Sequence, residues 1–186
     1  MTAAPVTGRT APAARRTERG FTLFELVTVI CLIALLAIIG NNRLRYYQEL
    51  AEKAVMDMTL SAMTAGLRYR MAQMMINGSQ RTLGELELAN PVNFLQEPPR
   101  TYLGEFLAAD VKAPAGSWYY DAGRHEIVYI PAIVDNLAGT GPDPAPERLR
   151  FRVKLVYDRP IDVTVSDDRP AVVGLRINPA VNYKWF

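Results

Sequence analysis

The sequence predicts an α+β fold, with one long N-terminal helix packed on an antiparallel sheet of four or five strands. Three observations predict it. A 20-residue apolar run opens at Phe21, and a second run with helical periodicity follows it to Ile76. Beyond Ile76 the period changes, with a glycine-turn hairpin near Gly123 and a strictly alternating segment at Leu149–Tyr157. The single cysteine excludes an internal disulfide, so packing alone must hold the core.

The first 20 residues hold Arg9, Arg15, Arg16 and Arg19 against Glu18, among Ala, Thr and Pro. Such a stretch has too little apolar surface to pack and reads as a disordered leader. Its net +3 favours the cytoplasmic side of a membrane. From Leu26 to Gly40 there is no charge, and within Phe21–Gly40 only Thr22, Glu25 and Thr28 interrupt the run. At ~1.5 Å per residue, about 20 helical residues cross a hydrocarbon core of ~30 Å. Residues 21–40 therefore read as a transmembrane segment.

Gly40-Asn41-Asn42 is a point of weak helix propensity, the glycine costing ~1 kcal/mol relative to alanine. Helical patterning then resumes over 41–76. Met56, Leu60, Met63, Leu67, Met71 and Met74 step by four or three and share one face, the pattern of a core stripe. Asn77-Gly78-Ser79 reads as the stop. An uninterrupted helix from Phe21 to Ile76 would measure roughly 84 Å.

Residues 77–186 read as a globular α+β domain. Short helical turns are expected at Pro91–Leu95 and Tyr102–Leu107. Ser117–Asp121 and His125–Ile130 form a hairpin around Ala122-Gly123-Arg124. Asn136–Pro146, rich in Gly and Pro, is expected to be an exposed loop. In the alternating segment Leu149, Phe151, Val153 and Leu155 face the core, opposite Arg148, Arg150, Arg152 and Lys154. Further strands are expected at Ile161–Val165 and Val172–Ile177.

Three export signals fit a basic leader ahead of an apolar run. A secretory signal needs small residues after the run, and bulky Ile38 stands two before Gly40. A twin-arginine signal is suggested by Arg15-Arg16, but Glu18 stands where an apolar residue belongs. The third type is cut before the run. Arg19-Gly20-Phe21-Thr22-Leu23-Phe24-Glu25-Leu26, leading into the apolar tail, closely resembles the processing signal of type IV prepilins and type II secretion pseudopilins. That resemblance implies cleavage between Gly20 and Phe21 by a prepilin peptidase and N-methylation of Phe21 by the same enzyme. It also implies a pilin-like fold, an inner-membrane assembly platform as partner, and a filament of pilin or pseudopilin subunits in which Glu25 meets the Phe21 amine of a neighbour. Phe24 departs mildly from the family, where a branched aliphatic is commoner. Asn42 stands where many pilins carry a proline at which the helix unwinds. Glu25 is often missing from tip pseudopilins, and paired cysteines, common in major pilins, are absent here. The presence of Glu25 speaks against the extreme tip position, and the lack of paired cysteines points to a minor pilin or pseudopilin.

The remaining chemistry is sparse. One histidine leaves no usual zinc or triad set, and no nucleophile–base pair or phosphate loop is recognisable. No catalytic residue, cofactor or metal ligand is assigned. A formal net charge of +2 is too balanced for a dedicated nucleic-acid binder. Without the leader and Glu25, 17 basic face 17 acidic side chains, from 21 and 19 in the whole chain. The Arg148–Lys154 row reads either as a solvated strand face or as a surface for an acidic partner. Asp121, Asp135, Asp158, Asp162, Asp167 and Asp168 read as turn formers, without the spacing of a calcium loop. His125 is expected in a strand, with a structural role. Cys31 reads as a small hydrophobe inside the apolar run. The rivals to the prepilin reading are an uncleaved membrane anchor with a periplasmic binding domain, and a periplasmic enzyme exported by the twin-arginine route.

Overall fold

The computed structural model describes residues 20–107, 111–140, 146–158 and 171–186. The expectations for the leader, for a strand at Ile161–Val165 and for Asp162, Asp167 and Asp168 lie outside the described residues. The fold is α+β in a pilin-like layout: a long N-terminal helix, a five-stranded sheet and a small second sheet. The chain divides into two units, Met1–Arg43 and Leu44–Phe186.

Helix α1 covers Leu23–Ile76. It starts two residues after Phe21 because Thr22 takes the N-cap. Its Oγ1 accepts the Glu25 amide at 3.2 Å, and its carbonyl accepts the Leu26 amide at 3.1 Å. One of the unsatisfied N–H groups of a helix start is thereby bonded. The helix passes through Gly40 without a break. It ends as the sequence predicts. Gly78, at φ +73°, donates to the Met75 carbonyl (3.3 Å) and Ser79 to that of Met74 (2.8 Å). This double return of the chain needs the left-handed conformation that glycine adopts freely.

In the second unit, Met56, Met63, Leu67, Met71 and Met74 are buried and Leu60 is partly buried. Met56 and Met63 join Trp118, Tyr120, Ile127, Tyr129, Leu149 and Phe151 in one core patch. Leu67, Met71 and Met74 join Leu83, Leu86, Val153, Leu155 and Leu175 in another. A 3₁₀ turn over Pro91–Phe94 lies against α1 where Gly66 leaves room. A Cβ at Gly66 would collide with the backbone carbonyl of Phe94 and lie 3.2 Å from its Cβ.

The strands are β1 (Tyr102–Phe106), β2 (Trp118–Asp121), β3 (Glu126–Tyr129), β4 (Leu137–Gly139), β5 (Leu149–Tyr157), β6 (Val172–Pro179) and β7 (Tyr183–Trp185). The main sheet runs β1-β2-β3-β5-β6, and β4 pairs with β7 apart from it. Five expectations are corrected. Of the expected helical turn Tyr102–Leu107, Tyr102–Phe106 is strand. It pairs parallel to β2, so the sheet is mixed and not wholly antiparallel. Asn136–Pro146 is not all loop, since its Leu137–Gly139 is a strand. His125 lies in the hairpin turn at φ +54°, and β3 begins after it. The Arg148–Lys154 row is not uniformly solvated, as its ion pairs below show. The β2–β3 hairpin, the alternation of β5 and the pairing of β6 stand as expected.

Candidate functional site

The first-turn carboxylate Glu25 and the Gly20-Phe21 pair lie close together at the start of α1. Gly20, Phe21 and Thr22 precede the helix, and all three are exposed. A Cβ at Gly20 would meet nothing within 4 Å, and its φ is not in the left-handed range. The fold therefore does not require glycine at this position. Thr22 and Glu25 form the Thr-x-x-Glu spacing of a capping box, a signal the sequence reading passed over. The Thr22 half of the box is formed. Glu25 is the acidic residue of the first turn, where the helix dipole favours negative charge. Its side chain is exposed and free to meet a cation outside the chain.

Every described side chain from Gly20 to Asn41 is exposed, including ten Leu, Ile and Val side chains between Leu26 and Ile39 that are at least 39% accessible. The helix is long and apolar enough to cross a membrane. Cys31 is exposed within this run.

A second exposed apolar surface follows on the same helix. Ala51, Val55, Met58, Ala62, Ala65, Tyr69, Ala72 and Ile76 alternate steps of four and three, and all eight are exposed. At 100° per residue they lie on the side of α1 away from the buried methionines, and none is charged. This is the heptad spacing of a helix–helix seam. Sequence periodicity contained it, but the methionine stripe on the opposite side has the same period, and only burial shows which of the two faces is covered.

Two further helix carboxylates turn inward. Glu49 is fully buried and accepts the Asn136 amide (2.8 Å), the Asn136 side-chain amide (2.6 Å) and the Trp185 indole N–H (2.9 Å). Burial pushes its pKa up, but these hydrogen bonds and the Arg45 charge outweigh burial and leave it below the ordinary value. Glu52 accepts the Tyr129 hydroxyl (2.8 Å) and the amides of Ala132 (2.6 Å) and Ile133 (3.0 Å). Neither role was visible in the sequence, because the partners stand 77 to 136 positions downstream.

On the sheet face away from the core, Asp121 and Glu126 are buried. Arg150 reaches both at 3.4 Å, and Arg152 meets Glu126 at 2.6 Å. Asp121 also accepts the Gly123 and Arg124 amides at 3.1 Å, the turn role its residue type predicts. Asp135 pairs with Arg45 at 3.4 Å. His125 Nδ1 stands 3.2 Å from the Leu88 carbonyl and 3.4 Å from the Tyr120 hydroxyl. Among the described residues, no three His, Cys, Asp or Glu side chains are placed to hold a metal ion.

Comparison of the chain with protein-family models, curated proteins and solved structures finds no match. The functional reading therefore rests on the residues themselves.

Proposed function

We propose that this protein is a prepilin-like structural subunit of a type IV pilus or type II secretion pseudopilus, and a substrate of processing enzymes rather than an enzyme. A prepilin peptidase cuts between Gly20 and Phe21 and the new Phe21 amine is methylated. The single-pass precursor holds its leader in the cytoplasm and residues 77–186 in the periplasm of a bacterial cell. An inner-membrane platform then draws it into a filament of like subunits.

The observation that carries this reading is the unburied run from Gly20 to Asn41, with Glu25 in its first helical turn. Lipid tails are as apolar as leucine, so moving the span from bilayer to filament gains little hydrophobic energy. Direction must come from elsewhere. Glu25 supplies one term. A carboxylate near the centre of a span costs about 2.5–3.5 kcal/mol, less toward an end, and a partner amine on a neighbouring subunit relieves that cost. Cleavage makes that amine at Phe21 and removes four arginines that could not enter a helical bundle. The Ala51–Ile76 stripe supplies the other term. It lies beyond the apolar run, in water, where burial gains roughly 25 cal/mol per Å².

The test is the N-terminal mass of the chain extracted from membranes of cells with and without a prepilin peptidase. A chain beginning at methylated Phe21, only when the peptidase is present, is the expected result. Retention of Met1 (or Thr2) in both would assign an uncleaved anchor. A soluble product beginning beyond Ile39 would assign a twin-arginine export substrate.

A further inference from the structure

The sheet face away from the core carries charge for which filament assembly has no use. Along β5 the charges separate into two groups. Arg150 and Arg152 pair with the buried Asp121 and Glu126, so two cations meet two anions. The next residue on that face is Lys154, and the register of β5 on β6 sets Arg176 directly opposite it. Both are exposed, and neither forms a hydrogen bond or ion pair with any described residue. Like charges directly opposite on an antiparallel pair destabilise the sheet. Among the described residues, these two adjacent cations thus have no counter-charge, where one exchange to Glu would give a favourable pair.

A cleft of about 330 Å³ opens beside them, lined by Arg152, Lys154, Asn178, Pro179, Ala180 and Asn182. Register sets Asn178 opposite Arg152. Among the described residues, the polar side chains of this lining are one guanidinium, one ammonium and two amides, with no carboxylate. Guanidinium and ammonium only donate hydrogen bonds, and side-chain amides can turn their N–H₂ groups to a ligand. Charge-assisted N–H contacts of this kind are the means by which proteins hold oxyanions.

We propose that this cleft binds a phosphate group carried by a small soluble molecule, with Lys154, Asn178 and Asn182 as donors, Arg152 offering only the N–H groups that Glu126 does not take, and Arg176 adding charge at its edge. A polyanion fits less well. The cation row does not continue as a track along β5, because Arg150 is engaged with Asp121 and Glu126, and Arg148 donates to the Tyr119 hydroxyl at 3.1 Å. A volume of about 330 Å³ is at the small-ligand scale.

The test uses the full chain in nonionic detergent with inorganic pyrophosphate as probe, read by calorimetry and by thermal shift at constant ionic strength. Pyrophosphate is expected to raise the Tm of the wild type. K154Q/R176Q should weaken binding at least about tenfold, the scale of one lost charge-assisted contact. Without pyrophosphate the same variant should melt no lower than wild type, since it removes a repulsion. N178A/N182A, which keeps every charge, should weaken binding severalfold. The proposal is overturned if pyrophosphate gives the wild type no shift, or if K154Q/R176Q binds it as well as wild type does. Full affinity in N178A/N182A would reduce the effect to diffuse charge and overturn the cleft. Heparin binding far more tightly than pyrophosphate, with a salt dependence steeper than Lys154 and Arg176 allow, would replace the small ligand with a polymer.

Discussion

Tyr129 donates its hydroxyl to Glu52 Oε1 at 2.8 Å, joining β3 to the helix. Burial first, and then the hydrogen bond and charge of Glu52, hold the phenol well above its ordinary pKa of 10. Burial also pushes Tyr120 and Tyr183 up to about 12, with nearby acids adding to it. The unfolded chain ionises these tyrosines near 10 while the folded one keeps them neutral. Their stabilisation is therefore whole below pH 10 and is lost as pH rises toward 12. Thermal unfolding followed across that range should show Tm falling together with the appearance of tyrosinate absorbance. A Tm that stays constant from pH 10 to 12 would contradict the assignment.

Glu49→Ala removes one acceptor from three donors, the Asn136 amide, the Asn136 side chain and the Trp185 indole. Leaving buried donors unpaired should cost about 3 kcal/mol. Because the folded pKa lies below 4.5, the wild type keeps this contribution above pH 4.5 and loses it as pH falls through the folded value. Urea midpoints of wild type and variant should differ at neutral pH and converge at acid pH. Equal midpoints at neutral pH would dismiss the carboxylate as a clasp.

The two glycines within α1 should respond in opposite ways. Gly66→Ala forces a methyl into the Phe94 backbone and should destabilise the domain by about 1–3 kcal/mol. Gly40→Ala meets nothing within 4 Å and should strengthen the helix locally by ~1 kcal/mol. If the helix loosens at Gly40 on assembly, as the pilin resemblance implies, that gain should appear as slower filament formation. Hydrogen-exchange protection unbroken through 40–42 in the filament would rule the loosening out.

These contrasts show which parts of the structure could be read in advance. The long helix, its stop at Gly78, the methionine core and the β5 alternation were legible, because each is written in local period or turn chemistry. Strand β1 was not. Tyr-Leu-Gly-Glu-Phe has no β-branched residue and gains its strand state from a parallel partner twelve or more positions away. Strands β4 and β7 are three residues each, too short to show a period. At the start of α1 the exposed Gly20-Phe21 pair and the first-turn Glu25 stand where the sequence order puts them, and their proposed roles rest on that order. The exposed heptad became visible only once the structure had shown which apolar face is covered.

Glu25→Ala should leave cleavage after Gly20 intact and impair incorporation into filaments, measured as the sheared-filament fraction against the membrane fraction. Gly20 replaced by a bulky residue should instead keep the precursor 20 residues longer by mass. Normal incorporation of the Glu25 variant would remove the pairing with the Phe21 amine.

Ala62→Glu and Ala65→Glu place carboxylates on the exposed seam. Domain stability should change by less than about 0.5 kcal/mol, as is usual for surface sites. Filament yield should drop sharply. Unchanged yield with both substitutions combined would take the seam out of assembly.

Trp185 reaches its acceptor across 136 positions of chain. A polypeptide delivered from its N-terminus presents Glu49 long before the indole that covers it. Until β7 arrives, that carboxylate has only its two Asn136 donors and β4 lacks its pairing strand. The three residues of β7 therefore finish two things at once, the hydrogen-bonded cluster at Glu49 and the small sheet.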